Sequence, residues 1–146
     1  MGGWYHLTEA FGKDRFERAI PKEGARSYSV GTPIFPSIYA LDASLRYLKA
    51  LGIPRIARYR NTLLPPLFEG LVELGLKPMV PLQPDYPSGI IAFQHPKGAA
   101  IYKALAHQKI FVTYSVERFR LSLHFYNTLD EVEHFLKTLH KILLRV

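Results

Sequence analysis

The sequence predicts an α+β fold: a small, mostly antiparallel sheet with helices packed on it. Three observations lead there. Apolar stripes recur at helical spacing over residues 37–74 and again from 128 to the end of the chain. Short apolar stretches bounded by Pro and Gly lie between them, and residues 118–124 alternate with period two. At 146 residues with 48% hydrophobic content, the chain is long enough for one ordinary domain with its own core.

From Met1 to about Ser29, Gly, aromatic and charged residues mix without sustained period and end in the turn-like Pro21-Lys22-Glu23-Gly24, which reads as an extended arm. Ile38, Leu41, Leu45 and Leu48 then predict a core-facing helix over 37–50, stopped by Gly52 and Pro54. A second helix starts near Pro54, which needs no amide donor in the first turn, and carries Ile56, Tyr59, Leu63, Leu67, Leu71 and Leu74 on one stripe. Pro65-Pro66 removes two backbone donors inside it, so a kink or two consecutive helices is expected, with Gly75 closing the segment. Residues 78–82 and 89–94 read as strands, 98–107 as a short helix with Ile101 and Leu105 on one side, and 109–114 as a strand rich in β-branched and aromatic residues. In the next strand Phe119, Leu121 and Leu123 face one way and Arg118, Arg120, Ser122 and His124 the other. Thr128-Leu129-Asp130-Glu131 is a capping box, and Val132, Phe135, Leu136, Leu139, Ile142 and Leu143 continue the last helix.

Composition excludes several classes of function. Without cysteine there is no disulfide framework, thiolate nucleophile or cysteine-based zinc site. The first residues lack the basic start and apolar stretch of a secretion signal, and no run approaches the roughly 20 apolar residues of a membrane span, so a cytoplasmic protein is expected. The six histidines show no metal-ligand spacing, and no phosphate-loop, nucleophile-elbow, dinucleotide or zinc-protease motif occurs. The net charge of +7 admits an anionic partner, but the basic residues are scattered. The densest group, Arg55, Arg58 and Arg60, is read as the solvated side of a helix. A nucleic-acid module would need aromatics on an open sheet face, whereas Phe119 shares the apolar face with Leu121 and Leu123.

Three places suit an anion. Gly31-Thr32-Pro33 sets a hydroxyl just ahead of a helix N-terminus, where partial positive charge favours phosphate; the plain alternative is a helix-entry turn capped by Thr32. Arg120, on the polar face of its strand, could grip a carboxylate in a bidentate pair, and from the residues alone Arg118 could equally do so or either could be a solvated charge. Trp4, the single tryptophan, offers an indole N–H to a phosphate oxygen or serves as an aromatic plug over the core.

The stretch Gly31-Thr-Pro-Ile-Phe-Pro-Ser-Ile-Tyr-Ala-Leu-Asp-Ala-Ser-Leu45 resembles the G-T-P-x-x-P-x-x-x-A-L-x-A-x-L segment of class V pyridoxal-phosphate (PLP) enzymes. Arg120-Leu-Ser-Leu-His-Phe-Tyr-Asn-Thr128 resembles their closing strand-to-helix signature, and Gly3-Trp4-Tyr5-His6 with Gly24-Ala-Arg-Ser-Tyr28 resembles pieces of kynureninase-like members. The resemblance implies the C-terminal small domain of a fold-type I enzyme, with residues 1–30 as an N-terminal arm or interdomain segment and 31–146 as the small domain. It implies that Arg120 binds the substrate α-carboxylate, and that Thr32, with Gly31, and Trp4 contact the PLP phosphate across a dimer. Tyr126, Asn127 and Thr128 match the turn that starts the last helix and have a structural role. The lysine that binds PLP as a Schiff base, and the aspartate at the pyridine nitrogen, belong to a large domain expected upstream of the chain's start. The chain is therefore expected to work with that domain or subunit, in a homo- or hetero-oligomer acting on an amino acid, and to have no catalytic residue or PLP chemistry alone. A non-catalytic remnant or a dimerisation domain is the alternative.

Overall fold

A computed structural model describes residues 3–82 and 88–146; Met1 and Gly2 of the predicted arm lie outside the described residues. The chain divides near Ala50–Leu51 into two units. Among the described residues, four α-helices, α1 (Phe35–Leu51), α2 (Ile53–Glu73), α3 (Gly98–His107) and α4 (Leu129–Leu143), accompany three strands, β1 (Ile90–Gln94), β2 (Thr113–Ser115) and β3 (Arg118–Ser122). The strands form one antiparallel sheet in the order β1-β3-β2, so β3 is central. None of the helices among the described residues is long and apolar enough to cross a membrane.

The second unit owns the core. Leu63, Leu64, Leu67 and Leu71 of α2, Ile101 and Leu105 of α3, and Val132, Phe135, Leu139 and Ile142 of α4 close over Ile91, Phe93, Phe119 and Leu121 of the sheet. Period two puts Phe93, Phe119 and Tyr114 on one face, and the register sets them directly side by side. Phe93 and Phe119, both 0% exposed, stack with centroids 4.8 Å apart, and Tyr114 lies 4.8 Å from Phe119. Tyr102 of α3 extends the row, stacking on Tyr114 at 5.5 Å.

Helix ends explain where the strands begin. After α2, Gly75 takes φ +75°, and the N–H groups of Gly75 and Leu76 donate to Val72 and Leu71 at 2.9 and 3.0 Å. This is a Schellman cap with Leu76 and Leu71 both buried, as the Gly75 stop predicts. The same cap closes α3 with Lys109 at φ +58°, its N–H donating to Ala106 and that of Ile110 to Leu105. Residues 109 and 110 are thereby committed to the helix end, so the strand expected over 109–114 starts only at Thr113. The strand expected over 78–82 is reduced to one bridge, Pro78 to Phe93, with Met79 N–H donating to Ala92 at 2.8 Å; Pro78 and Pro81 have no N–H to extend it. Elsewhere α2 runs through Pro65 and Pro66 as one helix rather than two.

The first unit differs from expectation in two respects. Residues 3–29 fold back on themselves instead of extending: short 3-10 turns occupy Trp4–His6 and Gly24–Tyr28, and Leu7 bridges Pro21. Thr8 N–H donates to Ile20 and Lys22 N–H to His6 at 2.9 and 2.8 Å, which closes the intervening loop. The helix predicted over 37–50 forms, but its stripe does not face a core. Ile38, Leu41 and Leu45 are 50%, 58% and 55% exposed, because no buried side chain exists among the described residues up to Ala50.

The β2–β3 hairpin turns on Val116 and Glu117, at φ +50° and +58°. Two left-handed residues in a two-residue loop match the twist of the strands, but Val and Glu reach that region only at a cost. Replacing them with Asn and Gly should raise unfolding free energy by about 1 kcal/mol, and Phe119→Ala should lower it by about 3–5 kcal/mol, both read by urea denaturation.

Candidate functional site

Arg120 sits mid-strand on β3, with Ala92 of β1 and Thr113 of β2 as its cross-strand partners. The burial pattern of β3 alternates, Phe119 and Leu121 inward and Arg118, Arg120 and Ser122 outward. Short neighbours leave the guanidinium free to project from the open face. The ion pairs among the described residues, Arg18–Asp14, Arg46–Asp42 and Lys137–Glu133, are local i,i+4 pairs on the surface and do not include it. Arg118 stands at the strand's first position opposite Gln94 and Ser115. The two arginines separate at a hollow of about 830 Å³ between residues 108–113 and the start of α4: Arg120 lines it together with Ser122, Asn127, Glu131 and His134, and Arg118 does not.

The turn beside this hollow is fixed by side chains. Asn127 Oδ1 accepts from the His124 N–H at 2.9 Å, and its amide donates to Glu131 at 3.2 Å. Thr128 and Glu131 complete the capping box reciprocally, at 3.2 and 2.9 Å. The Tyr59 hydroxyl donates to the Asn127 carbonyl at 2.8 Å, tying α2 to the turn. These bonds give Asn127 and Thr128 the structural role expected of them. Tyr59 had no such signal, since its place on the α2 stripe read only as core. Tyr126 is exposed, its ring stacked 5.0 Å from that of His124.

Trp4, Gly31 and Thr32 all belong to the first unit. A Cβ at Gly31 would lie 3.8 Å from the Trp4 indole nitrogen, so the structure brings these two together, with Thr32 next in the chain. Gly3 makes this possible: a Cβ there would fall 1.6 Å from the Val30 carbonyl oxygen, so any side chain would drive the two backbone segments apart. His6 bonds to the Ser27 carbonyl through Nδ1, and the Lys22 ammonium donates to the Tyr5 carbonyl at 2.9 Å, binding the same segments. Trp4 meets Tyr5 and Phe11 edge to face at 5.0 Å each and is 46% exposed, so it is not a plug over a buried core.

Among the described residues neither the Trp4 indole N–H nor the Thr32 hydroxyl has a hydrogen-bond partner. Both are neutral donors, and the first turn of α1, three residues on, holds no acidic side chain. That donor set fits the phosphate of PLP, which needs N–H and O–H groups near a helix N-terminus without competing negative charge. No group of three or more His, Asp or Glu side chains able to hold a metal occurs among the described residues.

Residues 4–135 match the family model for aminotransferase class-V. The chain is similar to the uncharacterized aminotransferase YcbU of Bacillus subtilis (strain 168), 30% identical over 137 residues, covering 90% of this chain and 36% of that protein. It is 28% identical to a probable cysteine desulfurase of Pyrococcus abyssi (strain GE5 / Orsay), covering 82% and 34%. The chain thus spans about a third of the length of the curated relatives it matches. Among solved structures, the apo cysteine desulfurase of Thermococcus onnurineus NA1 superposes with TM-score 0.79 at 25% identity, over all of this chain and 39% of that one. The cystine C–S lyase C-DES, in complex with its reaction product cysteine persulfide, shares the fold at TM-score 0.74 and 23% identity, over 95% and 37%.

Asn127→Ala removes an acceptor for a main-chain N–H and a donor to Glu131. It should lower unfolding free energy by about 1–2 kcal/mol in urea titration, with Asn127→Asp falling between the two.

Proposed function

Because the chain belongs to the class V aminotransferase family, we propose that it is the small-domain part of a PLP-dependent enzyme acting on an amino acid, with Arg120 as the residue that takes the substrate α-carboxylate. One observation carries this reading. Arg120 stands in the middle of the central strand's open face, between the short side chains Ala92 and Thr113, on the wall of a hollow and outside the ion pairs of the described residues. A strand-borne guanidinium is held at its root by two neighbouring strands, and its planar fork matches a carboxylate in two parallel bonds.

Binding the carboxylate there fixes the rotation of the amino acid about its α-carbon, which decides which bond is presented for cleavage. In the first unit the Trp4 indole N–H and the Thr32 hydroxyl donate to phosphate oxygens, with Gly31 leaving room beside the indole. PLP, when bound, supplies the electron sink for the carbanion formed at the substrate. The lysine and aspartate that engage it come from a large domain, on this polypeptide or another, in a homo- or hetero-oligomer placed in the cytoplasm. Residues 31–146 form the small domain in this scheme, and residues 1–30 the arm leading into it.

In the protein assembled with its large domain, Arg120→Ala should raise KM for the amino-acid substrate about 30-fold or more, equivalent to about 2 kcal/mol or more. Arg120→Lys should recover only part of this, since an ammonium cannot form the paired bonds. An unchanged KM in Arg120→Ala removes this residue from the site. Thr32→Ala should weaken retention of PLP about tenfold in equilibrium dialysis, the loss of one charge-assisted bond.

A further inference from the structure

The hollow beside Arg120 is built into the fold. Continuing the β2 register past the Thr113–Arg120 pair would set Phe111 opposite Ser122, yet pairing stops at Thr113. Lys109 and Ile110 are held in the cap that ends α3 and cannot align with β3. Residues 109–112 therefore diverge from β3, and the hollow of about 830 Å³ lies along the gap, within the size range of small-molecule sites. Arg120 and each of the next residues as far as Leu123 line it, a run of about 10 Å along the strand.

The chemistry changes along that run. At one end stands the Arg120 guanidinium. Beyond it the lining includes Ile110, Phe111, Val112, Leu123 and Phe135, all apolar. Phe111 is 85% exposed, and water is a poor environment for its ring until something apolar covers it. The first turn of α4 adds the carboxylates of Asp130 and Glu131 to the lining, against one further cation, Lys109. Once a carboxylate neutralises Arg120, the remaining charge repels an anionic side chain.

We infer that the hollow receives the side chain of the amino acid whose α-carboxylate Arg120 takes, that this side chain is large and apolar, aromatic foremost, and that Phe111 sets the preference. This rests on the reading of Arg120 given above. A methyl side chain anchored at Arg120 would occupy only the start of a run of about 10 Å and leave the apolar walls in water. An aromatic side chain fills more of the run and can pack on Phe111 edge to face, an arrangement that adds to its burial. Acidic side chains meet Asp130 and Glu131 and are turned away.

The test uses analogues that carry a methyl group in place of the α-hydrogen and so have no α-proton to lose: α-methylphenylalanine, 2-aminoisobutyrate and α-methylaspartate. Each is titrated by calorimetry into the protein assembled with its large domain. α-Methylphenylalanine should bind about 30-fold more tightly than 2-aminoisobutyrate, and α-methylaspartate no more tightly than 2-aminoisobutyrate. Phe111→Ala should cut the aromatic preference to about fivefold or less, with the urea midpoint unchanged because the ring is exposed. An aromatic preference below about threefold, absence of binding included, overturns the inference, as does one that Phe111→Ala leaves intact. Tighter binding of α-methylaspartate overturns it as well. Arg120→Ala separates the two readings, since it should weaken all three analogues by a similar factor. If it weakens none, the carboxylate reading falls and the inference with it. If it weakens all three and the aromatic preference is missing, the inference alone falls.

Discussion

The row of rings Phe93, Phe119 and Tyr114 is the constraint on which the rest depends. These three residues are register partners on adjacent strands, and Phe93 and Phe119 are fully removed from water. Sliding β1 or β2 by one residue would turn the row out to solvent and bring polar side chains into the core, a loss of several kcal/mol of burial. The same alternation that buries Phe119 sends its neighbour Arg120 to the open face. The cation's position is therefore a by-product of aromatic packing, and it inherits the rigidity of the core.

Three caps carry that rigidity outward. The Schellman caps at Gly75 and Lys109 end α2 and α3 and return the chain to the sheet, and the capping box at Thr128 fixes the start of α4. Because Lys109 and Ile110 serve the helix end, β2 is short, and the hollow lined by Arg120 opens beside the residues left out of it. Asn127 holds the facing turn by bonds to His124 and Glu131, with Tyr59 donating to its carbonyl. Local sequence signals thus set the walls of a hollow whose arginine is positioned by the sheet.

Much of this was legible before any coordinates. The helix over 98–107, the Gly75 stop and the capping box at Thr128 form as the sequence predicts, and so does the alternating strand through Arg120 except that it ends at Ser122 rather than His124, because each depends on nearby residues. What stayed hidden depends on distant ones. Lys109 gives no sign of a left-handed cap, as glycine would have done, and Val116-Glu117 is an improbable pair for its turn. The failure at α1 is of another kind. Its seam is a true helical stripe, but periodicity reports only that a face wants cover and not which molecule supplies it. The proximity of Gly31 to the Trp4 indole depends on a contact invisible in sequence, the approach of Val30 to Gly3.

The central proposal, resting on family membership and on the exposed arginine of the second unit, is that Arg120 clamps the substrate carboxylate. A crystal structure of the assembled protein with a bound amino acid tests it most directly. The account predicts both guanidinium nitrogens of Arg120 within hydrogen-bond distance of the two carboxylate oxygens. A carboxylate held by another cation, with Arg120 turned to solvent, would contradict it.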